Sequence, residues 1–373
     1  MNILRAFKTE LDLNNAQKTA CARHAGAARY AYNWGLARKI EAYKAGQKVP
    51  TAIDLHRELN VLKKTELSWM YEVSKCAPQE ALRNLDQAYA HFFRRVKDRH
   101  AGKNIRVGFP SFKSKKNRLG SFRLTGAIHV FEKAIQLPRL GVLHLKERCY
   151  LPTDDVHILS ATVSERAGHW FVSVQVEMGI PDPEPLEKGV AGVDLGVLHM
   201  ATVSDGSCVD NPRVLKQGLA KIKRLQRRVS RRQKGSANRQ KALRQLAQAH
   251  FRVANIRKDA LHQVTSRLAK TKSAIVLEDL NVSGMLKNHI LAQAIADVGL
   301  YEFSRQLSYK GKWYGCEVLI ADRYYPSSKR CSRCGQVKHD LAMSERDYRC
   351  EHCGRVIDRD LNAAINLEQL LYT

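Results

Sequence analysis

Apolar and polar positions divide the chain into three differently patterned stretches. Residues 16–44 contain few helix breakers, and 55–60 open another short helical stretch. Across 78–97, Ala81, Leu82, Leu85, Ala88, Tyr89, Phe92, Phe93 and Val96 recur at helical spacing. That spacing predicts an amphipathic helix with Arg83, Arg94, Arg95 and Lys97 on or near the other face. The pattern changes at Arg99. Short strand-like runs follow at 128–131, 134–137, 142–145, 158–164 and 170–176, the last two flanking a hairpin turn at 165–168. Several short strands with little helix predict a small barrel or sandwich. Prolines 181, 183 and 185 stiffen the backbone and cannot extend a ladder, so a domain boundary belongs there.

From Gly189 the pattern becomes α/β. An apolar strand at 190–193 ends at Asp194, and a second at 198–203 precedes Asp205-Gly206. A long helical segment covers 216–270, with a potential break at Gly235-Ser236. Then come the apolar strand 274–277 ending at Glu278, a helix around 292–310 and a strand at 318–321.

Charge changes the picture. Among 373 residues, 63 Lys and Arg stand against 36 Asp and Glu, a formal net charge of +27. A polyanionic partner would relieve that self-repulsion. The excess is concentrated: the long helical segment holds Asp259 as its only acid, while Lys221, Arg224, Arg227, Arg228, Arg231 and Arg232 crowd one stretch. A solvated helix usually mixes its signs, so this run points to phosphate contact. Lys113, Lys115 and Lys116 sit in a basic loop with Phe109 and Phe112 interleaved, a second candidate nucleic-acid contact. No run approaches the roughly 18 apolar residues of a membrane span, and the first residues lack the apolar core of a secretory signal. The expectation is a cytoplasmic protein with no membrane partner.

Of nine cysteines, Cys21, Cys76, Cys149, Cys208 and Cys316 are scattered and read as buried small hydrophobes. Cys331 and Cys334, with Cys350 and Cys353, form two C-x2-C pairs fifteen residues apart, each followed by glycine. This spacing fits one tetrahedral zinc ion. Four thiolates leave no open position, so the ion is expected to organise the fold. His339 and His352 lie nearby as substitutes for one ligand.

Three carboxylates stand out by setting. Asp194 ends a strand beside a glycine, Glu278 ends another, and Asp360 opens a C-terminal helix in Asp358-Arg359-Asp360-Leu361-Asn362. Converged, they would repel one another unless divalent cations lay between them. Two magnesium ions suit such oxygens and can serve phosphodiester cleavage. Taken singly, each is equally a turn former or, for Asp358 or Asp360, a helix cap.

Gly-Val-Asp-Leu-Gly at Asp194, Leu-Glu-Asp-Leu-Asn at Glu278 and Asp-Arg-Asp-Leu-Asn-Ala-Ala at Asp360 resemble the three motifs of RuvC-type nuclease domains, and most closely the TnpB family related to type V CRISPR effectors. The lead-in Tyr325-Pro326-Ser327-Ser328-Lys329 and the loop Phe109-Pro110-Ser111-Phe112-Lys113 add to the likeness. The resemblance implies an RNA-guided DNA endonuclease of insertion-sequence origin, with guide RNA and target double-stranded DNA as partners. Asp194, Glu278 and Asp360 would then hold two catalytic magnesium ions. The implied fold is α+β and multidomain: a first barrel strand at 1–10, a helical lobe at 11–98, a β-barrel at 99–180, and a ribonuclease H-like domain at 186–373 with a zinc ribbon at about 326–356. A transposase acting on element ends without RNA, and a non-catalytic nucleic-acid-binding regulator, are the competing readings.

Overall fold

The computed structural model describes residues 2–115, 120–153, 156–183, 189–342 and 344–372. The chain forms two compact units, 1–180 and 181–373.

The first unit opens with β1 (Asn2–Asp12), then α1 (Asn15–Lys44), α2 (Ala52–Leu62) and α3 (Cys76–His100). Asn14 and Gln17 form a reciprocal capping box that fixes the start of α1, and Thr51 with Asp54 does the same for α2. Six further strands follow: β2 (Ser121–Leu124), β3 (His129–Phe131), β4 (Ala134–Leu137), β5 (Gly141–Leu145), β6 (His157–Arg166) and β7 (His169–Gly179). The turn between β6 and β7 is tighter than the sequence suggests, with Ala167 and Gly168 both at positive φ, as a two-residue hairpin loop requires.

The expected barrel does not close. The seven strands lie in the order β2-β6-β7-β1-β5-β4-β3, and the end strands β2 and β3 are not hydrogen-bonded to each other. A barrel removes exposed edges, but here one edge is covered another way. Helices α1 and α3 pack on β2, where the ring of Phe122 lies 5.1 Å from that of His24 and the Cys76 thiol donates to the Thr125 carbonyl. Helices and sheet consequently share one core, running from Leu36, Leu55, Leu82 and Leu85 to Val163, Val172, Val174 and Val176.

The second unit begins with β8 (Ala191–Asp194), β9 (His199–Val203) and β10 (Cys208–Asp210), followed by α4 (Val214–Ser230), α5 (Ala237–Thr271), β11 (Ala274–Leu277), α6 (Val282–Met285), α7 (Ala292–Val298), α8 (Leu300–Tyr314), β12 (Glu317–Ile320), β13 (Asp347–Arg349), β14 (Val356–Asp358) and α9 (Arg359–Gln369). Its main sheet runs β10-β9-β8-β11-β12, with β9 antiparallel to β8 while β11 is parallel to both β8 and β12. The long helical segment breaks between Ser230 and Ala237, about where the glycine predicts it. The helix expected around 292–310 is two helices, parted at Gly299 with φ +79°. Short β2 and β10 carry no apolar run long enough to announce them. Cys149 and Cys208 are exposed, unlike the buried Cys21, Cys76 and Cys316, so the expectation of burial fails for two of the five scattered cysteines. Among the described residues no helix is long and apolar enough to cross a membrane.

Candidate metal centre and acidic site

Each C-x2-C pair folds into the same knuckle. Cys331 accepts from the Gly335 amide and donates its own amide to the Gln336 carbonyl; Cys350 does likewise with Gly354 and Arg355. Gly335 and Gly354 sit at φ +77° and +70°, a region that side chains rarely adopt. The two knuckles face each other, bringing Cys331 and Cys353 sulfurs to 3.6 Å and Cys334 and Cys350 sulfurs to 3.6 Å. All four lie within 4.8 Å of one another. A tetrahedron with metal–sulfur bonds of about 2.3 Å has edges of about 3.8 Å, so the donor set fits a zinc ion. Backbone N–H groups of Cys353 and His352 aimed at the Cys350 sulfur lower its thiol to about 6, favouring the thiolate a metal takes. Neither His339 nor His352 belongs to the cluster. Beneath it the buried Tyr348 donates its hydroxyl hydrogen to the Lys329 carbonyl.

The carboxylates are placed by strand register. On the parallel strands β8 and β11, Val193 lies opposite Leu277. The next residues, Asp194 and Glu278, therefore leave the sheet side by side at the carboxyl ends of neighbouring strands, where α/β sheets bind ligands. Helix α9 packs across β8 and supplies Asp360. Burial, then the charges of Glu278 and Asp360, push the Asp194 carboxyl well above the usual range. Burial also raises Glu278, opposed by the Ser327 hydroxyl, which donates to its Oε1. Asp360 also has cations beside it, with Arg359 at 3.4 Å and Arg346 at 3.9 Å. Among the described residues, the four sulfurs are the only such ligand atoms, three or more together, that all lie within 4.8 Å; the carboxylates are more widely set.

Neighbouring acids have other tasks. Asp358 caps α9, accepting from the amides of Asp360 and Leu361 at 2.9 Å. Asp279 is held by Arg323 at 2.6 and 2.9 Å.

The basic stretch divides cleanly around α4. Ile222, Leu225 and Val229 are buried, while Lys221, Arg224, Arg227, Arg228, Arg231 and Arg232 line an open groove. Among the described residues no carboxylate lies within 4.0 Å of those six cations. The helix is anchored at its N-terminus by buried Asp297, which accepts from the Leu215 and Lys216 amides and from Arg257. Lys113 is less available: its ammonium stands 3.7 Å from the centre of the Tyr32 ring. Lys115 is exposed, and Lys116 lies outside the described residues.

Sequence patterning does not single out Ser327, Asn362, Asn366, Gln369 or Arg346 as site residues, although Ser327 stands in the lead-in to Cys331. Only the buried setting of two asparagines inside a helix could mark them, and burial is invisible before folding.

Residues 169–289 match a family described as "Probable transposase" of the IS605 OrfB group, residues 301–367 a Cas12f1-like TNB domain, and residues 1–48 a helix-turn-helix domain of the same group. A Streptomyces pristinaespiralis protein named "Putative RNA-guided DNA endonuclease" is 36% identical over 98% of this chain and 89% of its own. InsQ of Escherichia coli (strain K12), named in the same words, is 33% identical over 98% of this chain and 92% of its own. A solved Cas12f1–sgRNA–target DNA complex is 14% identical, covering 98% of this chain and 99% of its own, at a TM-score of 0.37. The protein is thus of the IS605 OrfB-related class. The chain belongs to the TnpB family.

Proposed function

We propose that this protein is an RNA-guided, divalent-metal-dependent DNA endonuclease of an insertion sequence. Its second unit would then be a ribonuclease H-like domain of RuvC type, with the ribbon at about 326–356 inserted. The observation carrying the reading is the convergence of Asp194, Glu278 and Asp360 from three separate elements into one acidic site, in which burial and the neighbouring carboxylates raise the proton affinity of Asp194 and Glu278. Such an arrangement opposes folding unless cations neutralise it. Two magnesium ions, when bound, would supply Lewis acidity and an activated water at neutral pH. Asp194 and Glu278 would hold them from the sheet and Asp360 from the helix. Arg346 and Arg359 orient Asp360, and the Ser327 hydroxyl aims Glu278 and opposes the burial that raises it.

The names of the relatives support a guide RNA and target DNA as partners of this chain, the DNA being double-stranded in this proposal. The cations of α4, which face no carboxylate among the described residues, suit a nucleic-acid backbone, whose sequence would be read by pairing with the guide. Lys113, Lys115 and Lys116 are proposed as further contacts.

The test is to express the protein with its flanking genomic DNA and ask whether a defined RNA co-purifies. Magnesium-dependent cutting of DNA matching that RNA, lost in Asp194→Ala, is expected. RNA-independent joining or cutting of element ends would make the protein a transposase instead. Unchanged behaviour of Asp194→Ala in every assay would leave a non-catalytic regulator.

A further inference from the structure

We propose that the first cysteine knuckle is a positioning device for the acidic site, coupled to it by Ser327 and by the polar row Asn362, Asn366 and Gln369 on α9. The three side chains lie four and three residues apart, so they form one stripe of the helix. Each of them grips the knuckle backbone. Asn362 accepts from the Ser332 amide at 3.0 Å and donates to the Arg330 carbonyl at 2.7 Å. Asn366 donates to the carbonyls of Ser327 at 2.7 Å and Arg330 at 2.6 Å. Gln369 donates to the Ser332 carbonyl at 2.9 Å. Arg330 and Ser332 are the immediate neighbours of Cys331, so whatever fixes that sulfur fixes four of these five bonds; the fifth, to Ser327, ties α9 to the lead-in segment.

Asn362 and Asn366 are fully buried. Asparagine is a poor helix former and costly to bury unpaired, and Asn366 bears part of that cost, since its Oδ1 has no partner among the described residues. The helix holds the row because its amide groups satisfy backbone groups that would otherwise go bare. The knuckle carbonyls are such groups. On its neighbouring face α9 presents Ala363, Ala364 and Leu367 to the sheet. The helix carrying Asp360 is thus clamped between the knuckle and β8. A second link reaches the other strand end directly, through the hydroxyl bond from Ser327 to Glu278. The second knuckle joins the same helix covalently, because β14 continues into α9 through the cap residue Asp358. Two carboxylates therefore take their positions from the ribbon, and Ser327 and the asparagine row are positioning residues.

Only the cleavage part of the test rests on the nuclease reading. Hydrogen exchange at α9 and at residues 327–332 would be followed in the full-length protein, zinc-loaded and after chelation. The wild type, Asn362→Ala/Asn366→Ala and Ser327→Ala would be compared. Chelation should accelerate α9 exchange in the wild type, whereas the double variant should exchange fast in α9 while still holding zinc. Ser327→Ala keeps the whole clamp and should leave exchange and nucleic-acid affinity unchanged. Its cleavage should fall by about a hundredfold, the order expected when a reacting group shifts by about 1 Å, with recovery in Ser327→Thr. Unchanged α9 protection on chelation would overturn the coupling, as would full cleavage by Ser327→Ala. If the wild type cuts nothing, the nuclease reading fails, and the exchange result still decides whether the ribbon holds α9.

Discussion

Gly192 of β8 rests against the backbone of Ala364 in α9: a Cβ on Gly192 would stand 1.9 Å from the Ala364 carbonyl oxygen and 2.5 Å from the Glu368 amide nitrogen. The contact is backbone on backbone, with no flexible side chain to yield. It explains why a glycine precedes Val193-Asp194 and a pair of alanines follows Asp360, and it sets the spacing between the two aspartates. Gly192→Ala should therefore lower the unfolding midpoint, at a cost of about 1–3 kcal/mol for overpacking. It should also abolish cleavage while leaving zinc bound. Calorimetry and a zinc assay on the variant check both; wild-type stability would mean that α9 can move away freely.

Asp194→Asn should separate stability from function. It removes a buried charge that Glu278 and Asp360 repel. The variant is expected to melt higher than the wild type in metal-free buffer and to bind nucleic acid as well, yet not to cut. A lower melting temperature would show that Asp194 is held by favourable contacts rather than tolerated.

The same repulsion gives the metal-free protein a pH dependence of defined sign. Unfolded, Asp194 and Glu278 titrate near 3.8 and 4.5; folded, both are raised. Between the unfolded and folded values the native state holds more protons, so stability falls as pH rises through that window. Asp205 and Glu302, lowered to about 2, act in the opposite sense but only below their unfolded values. His24, His56 and His262, lowered by burial, act in the opposite sense as pH rises toward their unfolded value of 6.5, so the Asp194 contribution is read as a difference. The urea midpoint of the wild type, taken relative to that of Asp194→Asn, should fall from about pH 5 to about pH 7, and magnesium in excess should flatten that difference.

Replacing Arg224, Arg227 and Arg228 of α4 by Gln should weaken nucleic-acid binding mainly at low salt. For every phosphate that loses its cation, the slope of log affinity against log salt should shrink by about 0.9 on duplex or about 0.7 on a single strand. Fold stability should barely change, since the buried side of α4 is carried by Ile222, Leu225 and Val229. An unaltered slope would remove this groove from the binding surface.

Cys350→Ser should release zinc and destabilise the second unit, because metal binding energy at a structural site is folding energy. Metal content and the melting curve, read together, check this; retained zinc at wild-type stability would refute a structural ion.

The legible parts of this protein are those written in local spacing. Two C-x2-C pairs need only adjacent residues, and the knuckles follow from them. Asp194 and Glu278 stand out because each ends an apolar run, and the parallel register then places them side by side. The open edge of the first sheet is not legible, since strand patterning does not show that α1 and α3 cover β2. Ser327 is equally hidden: nothing near it signals that its hydroxyl meets Glu278, on a strand far earlier in the chain. Gly299 shows the reverse, a local signal masked inside a run that otherwise reads as one helix.

Strand β14 runs straight into α9, and this helix lies on β8, the first strand of its unit. In synthesis the strand bearing Asp194 emerges long before the helix that must cover it. Because α9 follows β8, α4 and the ribbon in the chain, the acidic site stays in two halves until α9 has been made, whereas the strand and the cations that precede it can already be in place.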